Sequence, residues 1–269
     1  MSKAIHDLVL RENVQLSPFY HRLDFTAPSP LPECEPGQFA ELLVPPGPGV
    51  FLRRPFSIHA VDYKDNTISF LIKLVGEGTR RLAGILPGTV INTVYPLGRG
   101  FTMPEKGPVL LVGGGCGIAP LLFLSARLKA GGFRTDCLLG GRTEKDIIET
   151  ADFERNGAVF ITTEDGSLGE KGLVTAHSLF DRPLPYTMVY ACGPEAMLRA
   201  VAMLAMKASV PCEVSLENTM ACGVGVCLCC VVPTTEGNQC VCTEGPVFNI
   251  NRLSGWDQAA RIADSCPVI

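Results

Sequence analysis

Over the first hundred residues apolar and polar positions alternate in short runs, clearest from Thr67 to Leu74, and Pro and Gly clusters such as Pro45-Pro46-Gly47-Pro48-Gly49 separate the runs. A period of two points successive side chains to opposite faces of a strand, so this stretch is expected to form a small antiparallel barrel. The character changes after Met103-Pro104-Glu105-Lys106-Gly107-Pro108. Val109 to Val112 is an apolar run that leads through glycines into a helical stretch, Leu121 to Lys129. Strands are expected at Thr135 to Leu139, Val159 to Thr162 and Thr187 to Ala191, alternating with helices at about Asp146 to Glu154 and Glu195 to Lys207. That rhythm predicts a parallel α/β sheet. From about Pro211 a cysteine-rich, loop-rich segment begins, so the expected division is a β-barrel over 1–103, an α/β domain over 104–210 and a small third unit over 211–269.

Composition narrows the class. With 46% hydrophobic and 19% charged residues the chain has the balance of a globular protein and can bury a core. A net charge of -4 without Lys/Arg clusters gives no basis for a nucleic acid or an anionic membrane as partner. Met1 to Leu10 alternates polar and apolar residues without the regions of a signal peptide, and the apolar stretch Val109 to Leu124 is broken by Gly113, Gly114, Gly115 and Gly117, so no membrane span and a cytoplasmic setting are expected. In a reducing compartment twelve cysteines point to thiolate chemistry rather than disulfides.

Those cysteines are unevenly placed. Cys34, Cys116, Cys137 and Cys192 are scattered and Cys212 and Cys266 flank the end, while Cys222, Cys227, Cys229, Cys230, Cys240 and Cys242 crowd one stretch. Cys222, Cys227 and Cys230 have C-x4-C-x2-C spacing, and a further cysteine follows a segment with the look of a hairpin, Val231 to Val241. This is the plant-type spacing of a 2Fe-2S cluster. Gly223 and Gly225 let the backbone fold closely around inorganic sulfide. Structural zinc and loosely organised thiols are the rival readings, although zinc usually takes paired C-x2-C knuckles. Period two puts Cys240 and Cys242 on one strand face, and spacing does not choose between them.

Two short motifs point to a flavin. Arg54-Pro55-Phe56-Ser57 opens a strand with an arginine suited to pyrophosphate, an aromatic suited to a ring system and a hydroxyl suited to a flavin nitrogen. Gly76-Glu77-Gly78-Thr79 precedes a short helical stretch, Arg80 to Gly84, where free amides suit an anion. Each alone is also the signature of an ordinary turn or a surface salt bridge.

A third signal suits a dinucleotide. Gly113-Gly114-Gly115-Cys116-Gly117-Ile118-Ala119-Pro120 joins a strand to a helix, where a pyrophosphate meets helix amides, but it is not G-x-G-x-x-G. Gly140-Gly141-Arg142-Thr143 stands where a ribose-binding acid would end the next strand. Cys192-Gly193-Pro194 ends another strand, at the edge where α/β sheets bind ligands, and a buried inert Cys192 fits equally well.

In order and content these motifs, together with Pro96 to Phe101, Asp165 to Gly169 and Met220 to Cys227, resemble the ferredoxin reductase superfamily, and more narrowly the electron-transfer subunits of class 1B dihydroorotate dehydrogenases, over nearly the whole chain. The resemblance implies a β-barrel flavin domain, an α/β nucleotide domain and a small 2Fe-2S domain. It places FAD on Arg54, Pro55, Phe56, Ser57, Ile72, Lys73, Leu74, Gly78 and Thr79, and NAD on Gly114, Gly115, Gly117, Arg142, Cys192, Gly193 and Pro194. Cys242-Thr243-Glu244-Gly245-Pro246-Val247-Phe248 matches the family pattern at the last cysteine, which implies Cys222, Cys227, Cys230 and Cys242 as iron ligands. Phe56 departs from an aliphatic residue common in relatives. The resemblance also implies an FMN-containing dihydroorotate dehydrogenase catalytic subunit as partner, in a heterotetramer that reduces NAD in pyrimidine biosynthesis. A reductase subunit of a hydrogenase or bifurcating transhydrogenase is the alternative with the same module, and a zinc-bearing binding module the alternative without redox chemistry.

Overall fold

The computed structural model describes residues 3–47 and 49–256; Pro48 of the proline-glycine cluster, the first two positions of the N-terminal alternation and Cys266 lie outside them. Six strands among them close into an antiparallel barrel: β1 (Ala4–Ser17), β2 (Tyr20–Thr26), β3 (Phe39–Leu42), β4 (Arg54–Asp62), β5 (Thr67–Lys73) and β6 (Val90–Leu97), in the order β1-β2-β5-β4-β3-β6. β1 pairs with both β2 and β6, so closure leaves no sheet edge there. The inward positions are those that alternation predicts: Leu23, Phe25, Ile58, Ile68, Phe70 and Ile72 are fully buried. Each such side chain contributes about 1.5–3 kcal/mol on burial, which is why the register of these short strands is strongly specified. Helix α1 (Glu77–Ala83) follows β5. It starts at Glu77, so Gly78 and Thr79 lie in its first turn rather than ahead of it.

The second layer is a sheet of seven strands. β7 (Val109–Gly114) runs through one 3-10 turn, Gly115–Gly117, into α2 (Ile118–Ala130), which begins three positions before the apolar periodicity does. β8 (Thr135–Gly141), α3 (Thr150–Glu154), β9 (Ala158–Thr163), β10 (Glu170–Lys171), β11 (Met188–Cys192) and α4 (Glu195–Lys207) follow. The helix expected from Asp146 is interrupted, because Glu149 takes a left-handed φ of 56° that an α-helix cannot continue through.

The segment after Pro211 is divided between two places. β12 (Cys212–Ser215) pairs in parallel with β11, the hairpin β13 (Val231–Thr234) and β14 (Gly237–Cys240) stands apart, and after α5 (Val241–Glu244) strand β15 (Val247–Asn249) returns antiparallel to β12. The sheet order is therefore β10-β9-β8-β7-β11-β12-β15. A boundary at 211 marks the onset of the cysteine segment in sequence, while in space residues 212–215 and 247–249 complete the nucleotide sheet. Four consecutive buried residues, Cys212 to Ser215, carry too little periodicity to be recognised as a strand. Phe123 of α2 packs into the barrel core and so joins barrel and sheet. Among the described residues no helix is long and apolar enough to cross a membrane.

Candidate functional site

A cleft of about 360 Å³ lies where the barrel meets α2 and the chain beyond β12. Arg54, Pro55, Phe56 and Ser57 line it from the start of β4, with Lys73 and Thr79. Arg54 donates to the carbonyls of Leu52 and Arg53 at 3.0 and 3.1 Å, and its guanidinium lies along α1 beside Gly78, where even a Cβ would be at ordinary contact distance, 3.4 Å from Nε. The Thr79 hydroxyl is committed to the turn: it accepts from the amides of Val75 and Gly76 at 3.0 and 3.1 Å and donates to the Gly76 carbonyl at 2.9 Å. Ile72 turns its side chain into the barrel core, and the Leu74 amide donates to the Phe19 carbonyl at 2.8 Å. Phe56 faces the cleft and packs on the barrel core. Cation, ring and hydroxyl thus meet beside apolar walls, a donor set suited to a flavin with a pyrophosphate.

A second cleft, of about 380 Å³, opens at the carboxyl ends of β7, β8 and β9. Gly114, Gly115, Arg142 and Pro194 line it together with Asp146 and Glu164. Gly117, Cys192 and Gly193 support it instead. A Cβ on Gly117 would overlap the Cys192 carbonyl, and one on Gly193, whose φ is 155°, would sit 2.7 Å from Met197 Cε. Cys192 is buried, and burial, with Glu217 and Cys116 adding to it, raises its thiol well above the ordinary range.

Lys73 lines both clefts. Its Nζ is 3.7 Å from Asp146 Oδ1 and 5.2 Å above the Tyr20 ring, whose hydroxyl donates to the same oxygen at 3.4 Å. Nearby, the Cys116 thiol donates to Glu217 Oε1 at 3.4 Å, and burial followed by that carboxylate pushes it up to about 12. Tyr20, Asp146, Glu164 and Glu217 escaped the sequence reading. For Glu164 the available signal was an acidic residue just past the strand expected over Val159 to Thr162; for Glu217 the same signal depends on β12, which the sequence does not reveal.

The cysteines gather beyond the far side of the first cleft, which Met220 lines. Cys222 Sγ accepts from the amides of Val224 and Cys227 at 3.5 and 3.4 Å, Cys227 Sγ from Cys229 at 3.5 Å, Cys230 Sγ from Cys242 at 3.4 Å and Cys242 Sγ from Gly225 at 3.1 Å. The two amides hold the Cys222 thiol down to about 6, while burial and then Cys230 push Cys242 up to about 12. Metal binding there must expel protons. Among the described residues no three His, Cys, Asp or Glu side chains close on a single metal ion; the four thiols stand around a loop whose amides point at them. Cys240 ends β14 and Cys242 lies in α5, so the two do not share a strand face as period two suggests. Glu41 of β3, flanked by Arg53 and Arg54, meets Gly223 from the barrel side; burial pushes its carboxyl up to about 7, and neither of its oxygens has a hydrogen-bond partner among the described residues.

The chain matches the family model for the iron-sulfur cluster binding domain of dihydroorotate dehydrogenase B over residues 217–254 and that for the oxidoreductase NAD-binding domain over 111–203. It is 41% identical over 218 residues to the dihydroorotate dehydrogenase B (NAD(+)) electron transfer subunit of Caldanaerobacter subterraneus subsp. tengcongensis, covering 79% of this chain and 84% of that protein. The protein of that name from Desulforamulus reducens is 38% identical, covering 92% and 97%. Among solved structures, one of an NADH-dependent reduced ferredoxin-NADP oxidoreductase superposes with a TM-score of 0.83 at 29% identity, covering 97% of this chain and 93% of that one. The ferredoxin-NADP+ reductase of Plasmodium falciparum, with a TM-score of 0.60 at 13% identity, shares the fold.

Proposed function

This chain belongs to the family of dihydroorotate dehydrogenase B electron transfer subunits, and we propose that its second cleft, first cleft and cysteine loop are, in that order, the NAD, FAD and 2Fe-2S stations of one relay. The chain is an oxidoreductase subunit carrying FAD and a 2Fe-2S cluster, and it passes electrons to NAD+ from a partner catalytic subunit that oxidises dihydroorotate. FAD, when bound, exchanges two electrons with a nicotinamide and single electrons with a cluster. The observation that carries the ordering is that Lys73 borders both clefts while Met220, two positions before Cys222, borders only the first.

In this reading Arg54 pairs with the FAD pyrophosphate, Ser57 faces the isoalloxazine, Thr79 fixes the turn that seats Arg54, and Ile72 and Leu74 contribute strand backbone. Gly114 and Gly115 bring backbone to the second pyrophosphate, while Gly117, Cys192 and Gly193 keep that turn narrow. Glu164 shares the cleft with Arg142, and its carboxylate suits a ribose hydroxyl and repels a 2′-phosphate, which favours NAD over NADP. Cys222, Cys227, Cys230 and Cys242 hold the cluster, each with an amide donor that stabilises a thiolate. The domain division follows as FAD over 1–103, NAD over 104–210 and cluster over 211–269, with β12 and β15 lent to the NAD sheet.

The partner, an FMN-containing catalytic subunit, docks over the cluster loop, where Val224, Val226 and Leu228 are 40%, 80% and 64% exposed, and the assembly is a heterotetramer. Met220 packs inward on the sheet core and is not part of that patch. A reducing, cytoplasmic setting suits the free thiols. The likeness at 29% identity to the reduced ferredoxin-NADP oxidoreductase structure supports a transhydrogenase reading less well than 38–41% supports the dihydroorotate one. Co-purification with the catalytic subunit tests the choice. Dihydroorotate-dependent reduction of NAD, lost in Cys227→Ser while NADH-to-dye activity persists, is the expected result, and a clear preference for NADPH without dihydroorotate coupling would refute it. Iron and acid-labile sulfide with the visible spectrum of a cluster are the expected result, and bound zinc in their place would favour the zinc module.

A further inference from the structure

Two positions past Ser57 on the flavin-facing strand, His59 is buried between barrel and sheet. Its Nδ1 lies 3.3 Å from the carbonyl of Ala119, in the opening turn of α2, and its Nε2 lies 3.2 and 3.1 Å from the two carboxylate oxygens of Glu149. The side chains of His59 and Glu149 are 2% and 3% exposed. The Ala119 carbonyl only accepts, so the Nδ1 facing it is the donor of that bond. Arg22 approaches Glu149 at 3.5 Å and is itself bonded to Asp24 at 3.1 Å, which places two basic and two acidic side chains across the domain contact. A pairing this balanced can persist in a buried site. Glu149 holds a left-handed φ of 56° that a non-glycine residue adopts only when its surroundings require it.

Ala119 and Ser57 both line the first cleft, whereas His59 does not reach it. Through Nδ1 the histidine therefore ties the strand that presents Ser57 to the helix whose preceding turn, Gly115–Gly117, borders the dinucleotide cleft.

We infer that His59 is a positioning residue for the nicotinamide-flavin encounter: by donating to Ala119 it sets the height of α2, and of the nucleotide held at its start, over the flavin strand. The inference rests on the assignment of the two clefts made above. The reaction is sensitive to that height, since a displacement of about 1 Å in a reacting pair costs on the order of 100-fold in rate.

The test uses the full chain loaded with FAD and cluster, in two polar variants. The amide nitrogen of His59→Asn falls near the Nδ1 position and can still donate to Ala119. That of His59→Gln falls near Nε2, reaching Glu149 but not Ala119. Each loses one of the two bonds, and a purely structural role predicts that His59→Asn, which strips the buried Glu149 carboxylate of its partner, is hurt at least as much as His59→Gln. The readouts are the long-wavelength absorbance that a nicotinamide ring stacked on a flavin produces when NAD+ or NADH is titrated in, and flavin reduction by saturating NADH. We expect His59→Asn to keep the band and a rate within about threefold of the parent, and His59→Gln to lose most of the band and slow by about tenfold or more with KM little changed. Equal behaviour of the two variants, whether both native-like, both slow or both unable to retain FAD, or a greater loss in His59→Asn, would overturn the inference. Failure of the cleft assignment would show separately, as absence of any nicotinamide band in the unaltered protein.

Discussion

The amide of Gly225 donates to Sγ of Cys242 at 3.1 Å, tying the cysteine loop to a helical turn seventeen residues further on. Gly225 has a φ of 83°, and a Cβ there would come 2.9 Å from Thr243 Cγ2. Gly225→Ala therefore combines left-handed strain of about 1–3 kcal/mol with a steric push that lengthens this bond. Reduced iron content and a shifted cluster potential are expected, with FAD content preserved, as measured by metal analysis and redox titration.

Cys242 receives an amide bond and is buried, whereas Cys240 ends the preceding strand, is only half-buried, and sets its thiol against that of Cys230. Cys242→Ser should abolish stable 2Fe-2S incorporation, and Cys240→Ser should leave the EPR spectrum of the reduced cluster as it is. The reverse pattern would make Cys240 the fourth ligand.

Arg54 lies along Gly78 at the edge of the first cleft. Removing a charge-assisted hydrogen bond to a pyrophosphate costs about 1.5–3 kcal/mol, so Arg54→Ala should weaken FAD binding by roughly 10- to 100-fold, read by fluorescence of released flavin. Retention of FAD at the parental Kd would remove Arg54 from the site.

At Gly117 an added Cβ runs into the backbone carbonyl of Cys192, which cannot swing aside as a side chain would. Gly117→Ala should part the two turns and raise KM for NADH several-fold while the FAD spectrum stays unchanged. Steady-state kinetics at several NADH concentrations checks it.

Burial pushes the Glu149 carboxyl upward, but the bonds from His59 and Arg22 more than reverse this and hold it below its ordinary value of 4.5. A group depressed in the folded state contributes stability that is present above 4.5 and lost as pH falls through the lower, folded value. Glu149→Gln should therefore lower Tm at neutral pH and flatten the acid limb of the Tm-against-pH curve, converging with the parent in strong acid. Parallel curves for the two proteins would contradict the ion pairing.

The sequence by itself determined the local chemistry. Period-two runs specify barrel strands because alternate side chains must enter one core, glycine before a helix suits an anion-ready turn, and the C-x4-C-x2-C run with Gly223 and Gly225 suits a loop around iron and sulfide while leaving the last ligand open between Cys240 and Cys242. These depend on neighbours a few positions apart. Tertiary structure decided what distant segments do to one another. Cys212 to Ser215 became a sheet strand because β11 offered an open parallel edge, a partner that no short window reveals. Lys73 came to border both clefts only through closure of the barrel against the sheet, Glu217 met Cys116 only because β12 takes its place beyond β11 in that sheet, and Glu41 met Gly223 only where the cysteine loop reaches β3. His59 reads in the chain as one more position of an alternating strand. Its two acceptors, Ala119 and Glu149, lie 60 and 90 residues away, and only the packing of α2 and of the turn ahead of α3 against β4 brings them within bonding distance.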